Sequence, residues 1–339
     1  MTVRVAVNGF GRIGRNFLRA AYKAGADLEI VAVNDLVSPA ANAHLLRYDS
    51  THGRFAGEVV LDERGMVVDG KVIKVFAERD PGQLPWKELE VDVVIESTGR
   101  FTKREAAAAH LAAGAGRVII SAPSGDADAT FVVGVNDDTF DPAAHVVVSN
   151  ASCTTNCFVP MIKVLDDAFG IEKGLMTTVH AYTNDQEILD LARDNVRRAR
   201  AAAVNIVPST TGAARATSLV LEAMKGKLDG TSLRVPVPDG SITDFTGIVR
   251  GAHDVAAVNA AFQKAASAGP LAKVLDYCED EVVSSDIVGT PASCTFDSTL
   301  TMTMDLGNGT TLIKVFGWYD NEWGYSNRLV DLVGIVAGR

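Results

Sequence analysis

Three groups of residues in this 339-residue chain have types and spacings that could do chemistry: a glycine run, a cysteine and a set of arginines. Gly9-Phe10-Gly11-Arg12-Ile13-Gly14 follows an apolar run at 3–8 and opens a stretch with helical spacing at 12–24. Glycines here permit a tight turn and let the backbone approach a pyrophosphate at the positive end of a helix. A second apolar run ends at Asn34-Asp35, placing a carboxylate 35 − 14 = 21 residues beyond Gly14. A carboxylate at that distance accepts hydrogen bonds from an adenosine ribose. The pattern reads as a dinucleotide site against the plainer alternative of a structural β-turn-α unit. Asp35 would repel a 2′-phosphate, so NAD is expected rather than NADP.

Asn150-Ala151-Ser152-Cys153-Thr154-Thr155-Asn156-Cys157 lies between a strand-like run and a helical one. A thiol at a helix N-terminus meets unsatisfied N–H groups and the positive dipole end, which favour thiolate. The alternative is a buried, inert cysteine. Pro160 either kinks this helix or moves its start beyond Cys153. Cys157, one turn deeper, reads as packing. Among six histidines, His180 closes the run LMTTVH in the same half of the chain as Cys153. It is either the partner of Cys153 or a structural histidine. Arg193, Arg197, Arg198 and Arg200, with Arg215 and Arg234, suit an anionic substrate or a solvated face paired with Asp190 and Asp194. The hydroxyl- and glycine-rich turn at 209–213 also suits phosphate. No CxxC pair or His-rich spacing suggests a disulfide framework or a metal site.

These groups need a scaffold. The first 150 residues alternate strand-like runs (3–8, 29–34, 91–96, 117–121, 146–149) with helical ones (12–24, and 105–113 closed by Gly114), which predicts a doubly wound parallel α/β sheet of Rossmann type. Beyond 150, strands are expected at 174–180, 232–237, 243–249, 292–304 and 311–318. Helices are expected at 155–169, 212–224 and 254–268, giving an α+β domain with a mostly antiparallel or mixed sheet. A last helix at 324–336 could return to the first domain. Domain limits of 1–150 and 151–318 follow, with 319–339 rejoining the first.

Composition sets outer limits. With 47% hydrophobic and 22% charged residues and a mean hydropathy of +0.13, the chain is a folded one. Its net charge of −10 and pI near 5.1 offer no general attraction for nucleic acid or anionic membranes. No apolar run nears the roughly 20 residues of a membrane span, and the N-terminus lacks a secretory pattern, so a cytoplasmic protein is expected.

The runs NGFGRIGR (8–15), SNASCTTNC (149–157), TTVHAYTNDQ (177–186), RRARAAA (197–203), STTGAA (209–214) and WYDNEWGYS (318–326) together resemble the phosphorylating glyceraldehyde-3-phosphate dehydrogenases, from end to end. The resemblance implies a homotetramer that oxidises and phosphorylates glyceraldehyde 3-phosphate with NAD and inorganic phosphate. It makes Cys153 the nucleophile and His180 its activating partner. It places Arg12 and Ile13 at the pyrophosphate, Asp35 at the adenosine ribose, Arg79 by the adenine, Ser121 along the cofactor and Asn321 at the nicotinamide carboxamide. Ser152, Thr154, Thr183, Arg198, Thr211, Gly212 and Arg234 surround two phosphate positions. Ala192 and Val37-Ser38 depart from the pattern of many NAD-specific members near the adenosine. Two other readings stay open: an erythrose-4-phosphate dehydrogenase that hydrolyses its thioester, and a nucleotide-binding scaffold or redox sensor.

Overall fold

The computed structural model describes residues 2–338, which divide into two compact units. One comprises residues 1–131, 136–152 and 326–339; the other comprises 132–135 and 153–325. The last crossing therefore falls inside the final helix, Trp323–Val336, and not at 319 as the sequence suggests. The cause is that residue 319 still belongs to a strand, Thr310–Tyr319, that completes the second unit's sheet.

The first unit is built on a nine-stranded sheet. Val3–Asn8 lies between Leu28–Asn34 and Val93–Glu96, all parallel, and Arg117–Ile120 and Val147–Ser149 continue outward from the latter. Strand order therefore reverses at Val3–Asn8. In such sheets ligands bind outside the carboxyl ends at that switch point, and Gly9, Asp35 and Ser121 all follow strand ends. Helix Arg12–Ala24 buries Phe17, Leu18, Ala20 and Ala21 and ends on Gly25, whose φ of 60° closes the last turn. Trp86, Val31, Ala32 and Val94 pack one hydrophobic cluster; Ala107, Val118, Ile120 and Val147 pack a second.

Beyond the expected parallel strands, Lys71–Phe76 pairs in parallel with Leu28–Asn34 and then leads an antiparallel hairpin through Gly65–Val68 and Val59–Asp62. Its turn is Asp69-Gly70, both at positive φ (44° and 80°), the geometry that favours an Asp-Gly pair.

In the second unit, helix Cys153–Phe169 packs on a mixed sheet. Ile171–Ala181 runs parallel to Leu228–Val235 and antiparallel to Ser241–Arg250, which in turn pairs with Thr310–Tyr319. Alternation is clean in Ser241–Arg250, where Phe245 and Val249 are buried and Ile242, Thr246 and Ile248 face the other side. Pro160 is buried within the helix and does not displace its start from Cys153. The run at 212–224 forms only short pieces, Ala213–Ala216, Thr217–Leu219 and Glu222–Met224.

Candidate active site

The glycine turn in the first unit is shaped by backbone. Gly9 has φ +91°, and a Cβ there would stand 2.6 Å from the Thr98 nitrogen; one on Gly14 would stand 2.3 Å from the Gly9 carbonyl oxygen. Gly11 differs: a Cβ would meet nothing within 4 Å, so its lack of a side chain keeps open the space over the start of helix Arg12–Ala24. That helix has no side-chain cap at Gly11, so its first N–H groups suit the anionic pyrophosphate of NAD. The Arg12 guanidinium pairs with Asp49 (2.5 Å) and holds that carboxyl down to about 2, although burial pulls it upward. What Arg12 offers the turn is thus chiefly its backbone. Asp35 Oδ2 accepts the Phe10 N–H (2.8 Å), which locks this carboxylate, expected at the ribose, to the glycine turn. Arg79 is exposed in the segment after Lys71–Phe76, and Ser121 N–H donates to the Glu96 carbonyl.

Beneath these positions lies a buried polar network that sequence patterns did not single out. Trp86 Nε1–H donates to His110 Nδ1 (2.9 Å), so a neutral His110 carries its proton on Nε2, facing Glu96 Oε2 at 3.0 Å. Glu96 also accepts from Asn8 Nδ2 (2.6 Å) and the Thr98 N–H (2.9 Å). Asn8 Oδ1 accepts from Asn34 Nδ2 (2.7 Å), and Asn34 Oδ1 accepts the Glu78 N–H (2.8 Å). Asn8, Asn34 and Glu78 immediately precede Gly9, Asp35 and Arg79. One chain of hydrogen bonds thus holds the three positions expected to read the nucleotide.

In the second unit Cys153 begins its helix, two residues after Ala151, whose φ of 55° makes the entry sharp. Its Sγ lies 3.4 Å from His180 Nε2. The buried Tyr319 ring meets His180 edge-on, and its hydroxyl bonds both Thr154 Oγ1 (2.9 Å) and Thr178 Oγ1 (2.8 Å). Thr154, expected beside a phosphate, is instead buried, with its hydroxyl on Tyr319. Asn321 is oriented by Ser241 Oγ, which donates to its Oδ1 (2.6 Å) and accepts the Ala181 N–H.

Register explains the next contact: His180 and Arg234 are partners on adjacent parallel strands. His180 Nδ1 lies 2.7 Å from the Ala181 carbonyl and 2.8 Å from Arg234 Nη1. A proton on Nδ1 serves the carbonyl and leaves Nε2 as an acceptor facing sulfur. A bare Nδ1 instead accepts from Arg234 and turns Nε2–H toward sulfur. Burial, then the Arg234 charge, brings His180 down to about 3. Burial pushes the Cys153 thiol up to about 11, against the pull of Arg234. The resting pair is therefore neutral thiol and neutral imidazole. The helix terminus does not secure the thiolate that the sequence suggests, because desolvation of the buried sulfur outweighs it and the pull of Arg234 together.

Arg198 and Thr183 both engage Asp185, with Arg234 Nη2 4.0 Å from the same carboxylate. Arg198 is further held by Ser209 Oγ (2.7 Å from Nη2). Thr211 caps the Ala213 N–H beside exposed Gly212. Cys153, His180, Arg234, Thr183 and Arg198 thus form one connected set. Ser152 precedes it in the chain. Arg193 and Arg200 are spent on Glu187 and Asp190.

Comparison with known proteins agrees with this arrangement. Residues 3–104 match the glyceraldehyde 3-phosphate dehydrogenase NAD binding domain, and residues 152–321 match the C-terminal domain of the same family. The chain is 61% identical over 339 residues to glyceraldehyde-3-phosphate dehydrogenase 2 of Streptomyces avermitilis, covering 100% of both chains. It is also 61% identical to the Streptomyces coelicolor enzyme of that name over the full length of both. Identity to the Geobacillus stearothermophilus one is 55%, covering 100% of this chain and 99% of the other. The chain belongs to the glyceraldehyde 3-phosphate dehydrogenase family.

Proposed function

We propose that the chain catalyses the NAD-dependent oxidation and phosphorylation of glyceraldehyde 3-phosphate to 1,3-bisphosphoglycerate, with Cys153 as nucleophile and His180 as base. The observation that carries this reading is the 3.4 Å approach of Cys153 Sγ to His180 Nε2 beside Arg234, in a member of this family. Sulfur adds to the aldehyde carbon, and the thiol proton ends on the former carbonyl oxygen, giving a thiohemiacetal on Cys153. His180 Nε2 then takes the hydroxyl proton as the carbon is oxidised, leaving a thioester. NAD, when bound, accepts the hydride. Phosphate oxygen attacks the thioester carbonyl, and sulfur leaves as the acyl group departs. An anion that neutralises Arg234 relieves its repulsion of imidazolium, so the base becomes competent when phosphate is in place.

The glycine turn and Asp35 hold the NAD pyrophosphate and ribose, and Asn321 Nδ2 suits the nicotinamide carboxamide. Arg198, Arg234 and Thr183, with Thr211 and the Gly212 N–H, recognise phosphate groups, and Ser152, next to Cys153 in the chain, is assigned to the same role. The first unit with the chain's last helix is the cofactor domain, and the second is the catalytic domain. Self-association, as a homotetramer, is supported by the second unit's open sheet face. An apolar groove of about 810 Å³ there includes Leu175, Ile248 and Leu312, with Leu175 67% exposed and nearby Met304 62%. Cytoplasmic location fits, since no helix among the described residues is long and apolar enough to cross a membrane. The test is NADH formation from glyceraldehyde 3-phosphate with and without inorganic phosphate. Dependence on phosphate supports the reading; phosphate-independent turnover favours a hydrolysing cousin that prefers erythrose 4-phosphate.

A further inference from the structure

We propose that Asp185 is a resident anion in the phosphate site, an internal competitor that an incoming phosphate must displace. The inference rests on the reading that Arg198, Arg234 and Thr183 bind phosphate. Every side-chain partner of Asp185 comes from that set. Its Oδ2 forms an ion pair with Arg198 Nη1 and lies 4.0 Å from Arg234 Nη2, while Thr183 Oγ1 donates to its Oδ1. Arg198 is braced on its other edge by Ser209, and Arg234 on its own by the Ala181 carbonyl (3.0 Å) and Thr183 Oγ1 (3.3 Å). The guanidiniums are thus anchored through other bonds and do not need Asp185 to hold their places.

Two further features point to a larger anion. Arg234 Nε is buried without a hydrogen-bond partner among the described residues, so the donors exceed what two carboxylate oxygens satisfy. Asp185 itself follows strand Ile171–Ala181, in an irregular segment, and its side chain is 37% exposed. It can swing out without opening a core. A phosphate dianion brings more charge and a third terminal oxygen, so it can replace the carboxylate with gain. A monocarboxylate offers the same two oxygens and one charge, and exchanges for no gain. Occupancy by Asp185 lowers the apparent affinity of every anion by the same factor, because only the vacated fraction binds, which leaves weak anions largely unbound.

The test measures binding of inorganic phosphate and of acetate to the full-length protein by calorimetry, for the unmodified chain, Asp185→Asn, Asp185→Ala and Arg234→Ala. Removing the internal competitor should tighten phosphate by about tenfold, the effect of roughly one charge-assisted bond. Acetate should tighten by a similar factor, since it too binds only the vacated site. Asp185→Glu, which restores the carboxylate, should bind phosphate more weakly than Asp185→Ala. Weaker or unchanged phosphate binding in both Asp185→Asn and Asp185→Ala would overturn the proposal and make Asp185 a support for the arginines. Phosphate affinity untouched by Arg234→Ala would overturn the site reading itself, a different failure from that of Asp185.

Discussion

The glycine turn and the thiol site solve the same problem, holding a charged ligand on an acidic protein, by opposite means. In the first unit the recognition surface is backbone, shaped by glycines close together in the chain and steadied from below by a buried hydrogen-bonded network. In the second it is side chains from residues 153, 180, 183, 198 and 234, brought together by sheet register and by a loop. A backbone site tolerates change at its ligating residues but not at its glycines. A side-chain site should fail one residue at a time, each in its own step.

The largest expected effect tests the second half of that contrast. Cys153→Ser should keep NAD affinity and lose kcat by about 10³-fold or more, since a hydroxyl has no comparable nucleophilic form. Cys157→Ser should retain most activity, because Cys157 is buried against Gly317. NADH production by the two variants, with NAD binding measured in parallel, checks both. Next, Arg234→Ala should weaken phosphate or glyceraldehyde 3-phosphate by about tenfold to a hundredfold, the loss of roughly 1.5–3 kcal/mol. Unchanged NAD affinity in that variant would separate the two sites; a parallel loss would merge them.

The glycines sharpen the other half. Gly11→Ala meets no protein atom, so it should leave Tm nearly unchanged while weakening NAD. Gly9→Ala, strained at φ +91° and driven against Thr98, should lower Tm as well as NAD affinity. Equal thermal behaviour of the two would show that the open space over Gly11 is not what the cofactor uses. For cofactor choice, Asp35→Ala should cut the kcat/KM preference for NAD over NADP by about tenfold.

Protonation gives the smallest and most diagnostic effect. His180 titrates near 3 in the folded protein, far below the usual histidine range. Between that range and about 3 the unfolded chain binds more protons, so stability is full at neutral pH and is lost as pH falls. His180→Asn should therefore flatten acid unfolding between roughly pH 6.5 and 3 while abolishing most turnover. With the thiol at about 11, alkylation of Cys153 by iodoacetamide should climb steeply in the alkaline range. Saturating phosphate should shift that profile to higher pH, because it neutralises the Arg234 charge that pulls the thiol down. Peptide mapping confines the measurement to Cys153; a profile already flat below pH 7 would mean a preformed thiolate.

How much was legible follows the same division. Helix Arg12–Ala24 and its glycine turn read directly, because local spacing alone dictates them. Helix Pro39–Arg47 was missed, though Ser38 caps it and Pro39 opens it. The run at 105–113 breaks into Arg104–Ala107 and Ala109–Ala112, and 292–304 is two strands parted by a turn at Ser298–Leu300 that Asp297 caps. Good composition for an element does not mark where it stops. Asp185, Glu96, His110 and Tyr319 escaped because their roles exist only through partners distant in sequence: Glu96 meets Asn8 across 88 residues, Tyr319 meets Thr154 across 165. The neutral state of His180 escaped for the same reason, since Arg234 arrives by register, and that of Cys153 because its burial is set by the whole fold.

The central claim is that carbon passes through a covalent bond to Cys153 before phosphate takes it. Intact-protein and peptide mass measurement after mixing the enzyme with NAD and glyceraldehyde 3-phosphate in phosphate-free buffer tests this directly. One acyl adduct per chain is expected, on Cys153, discharged rapidly on adding phosphate and slowly in water. An adduct on Cys157, Cys278 or Cys294, or NADH formed in full turnover with Cys153 unmodified at every time, would contradict it.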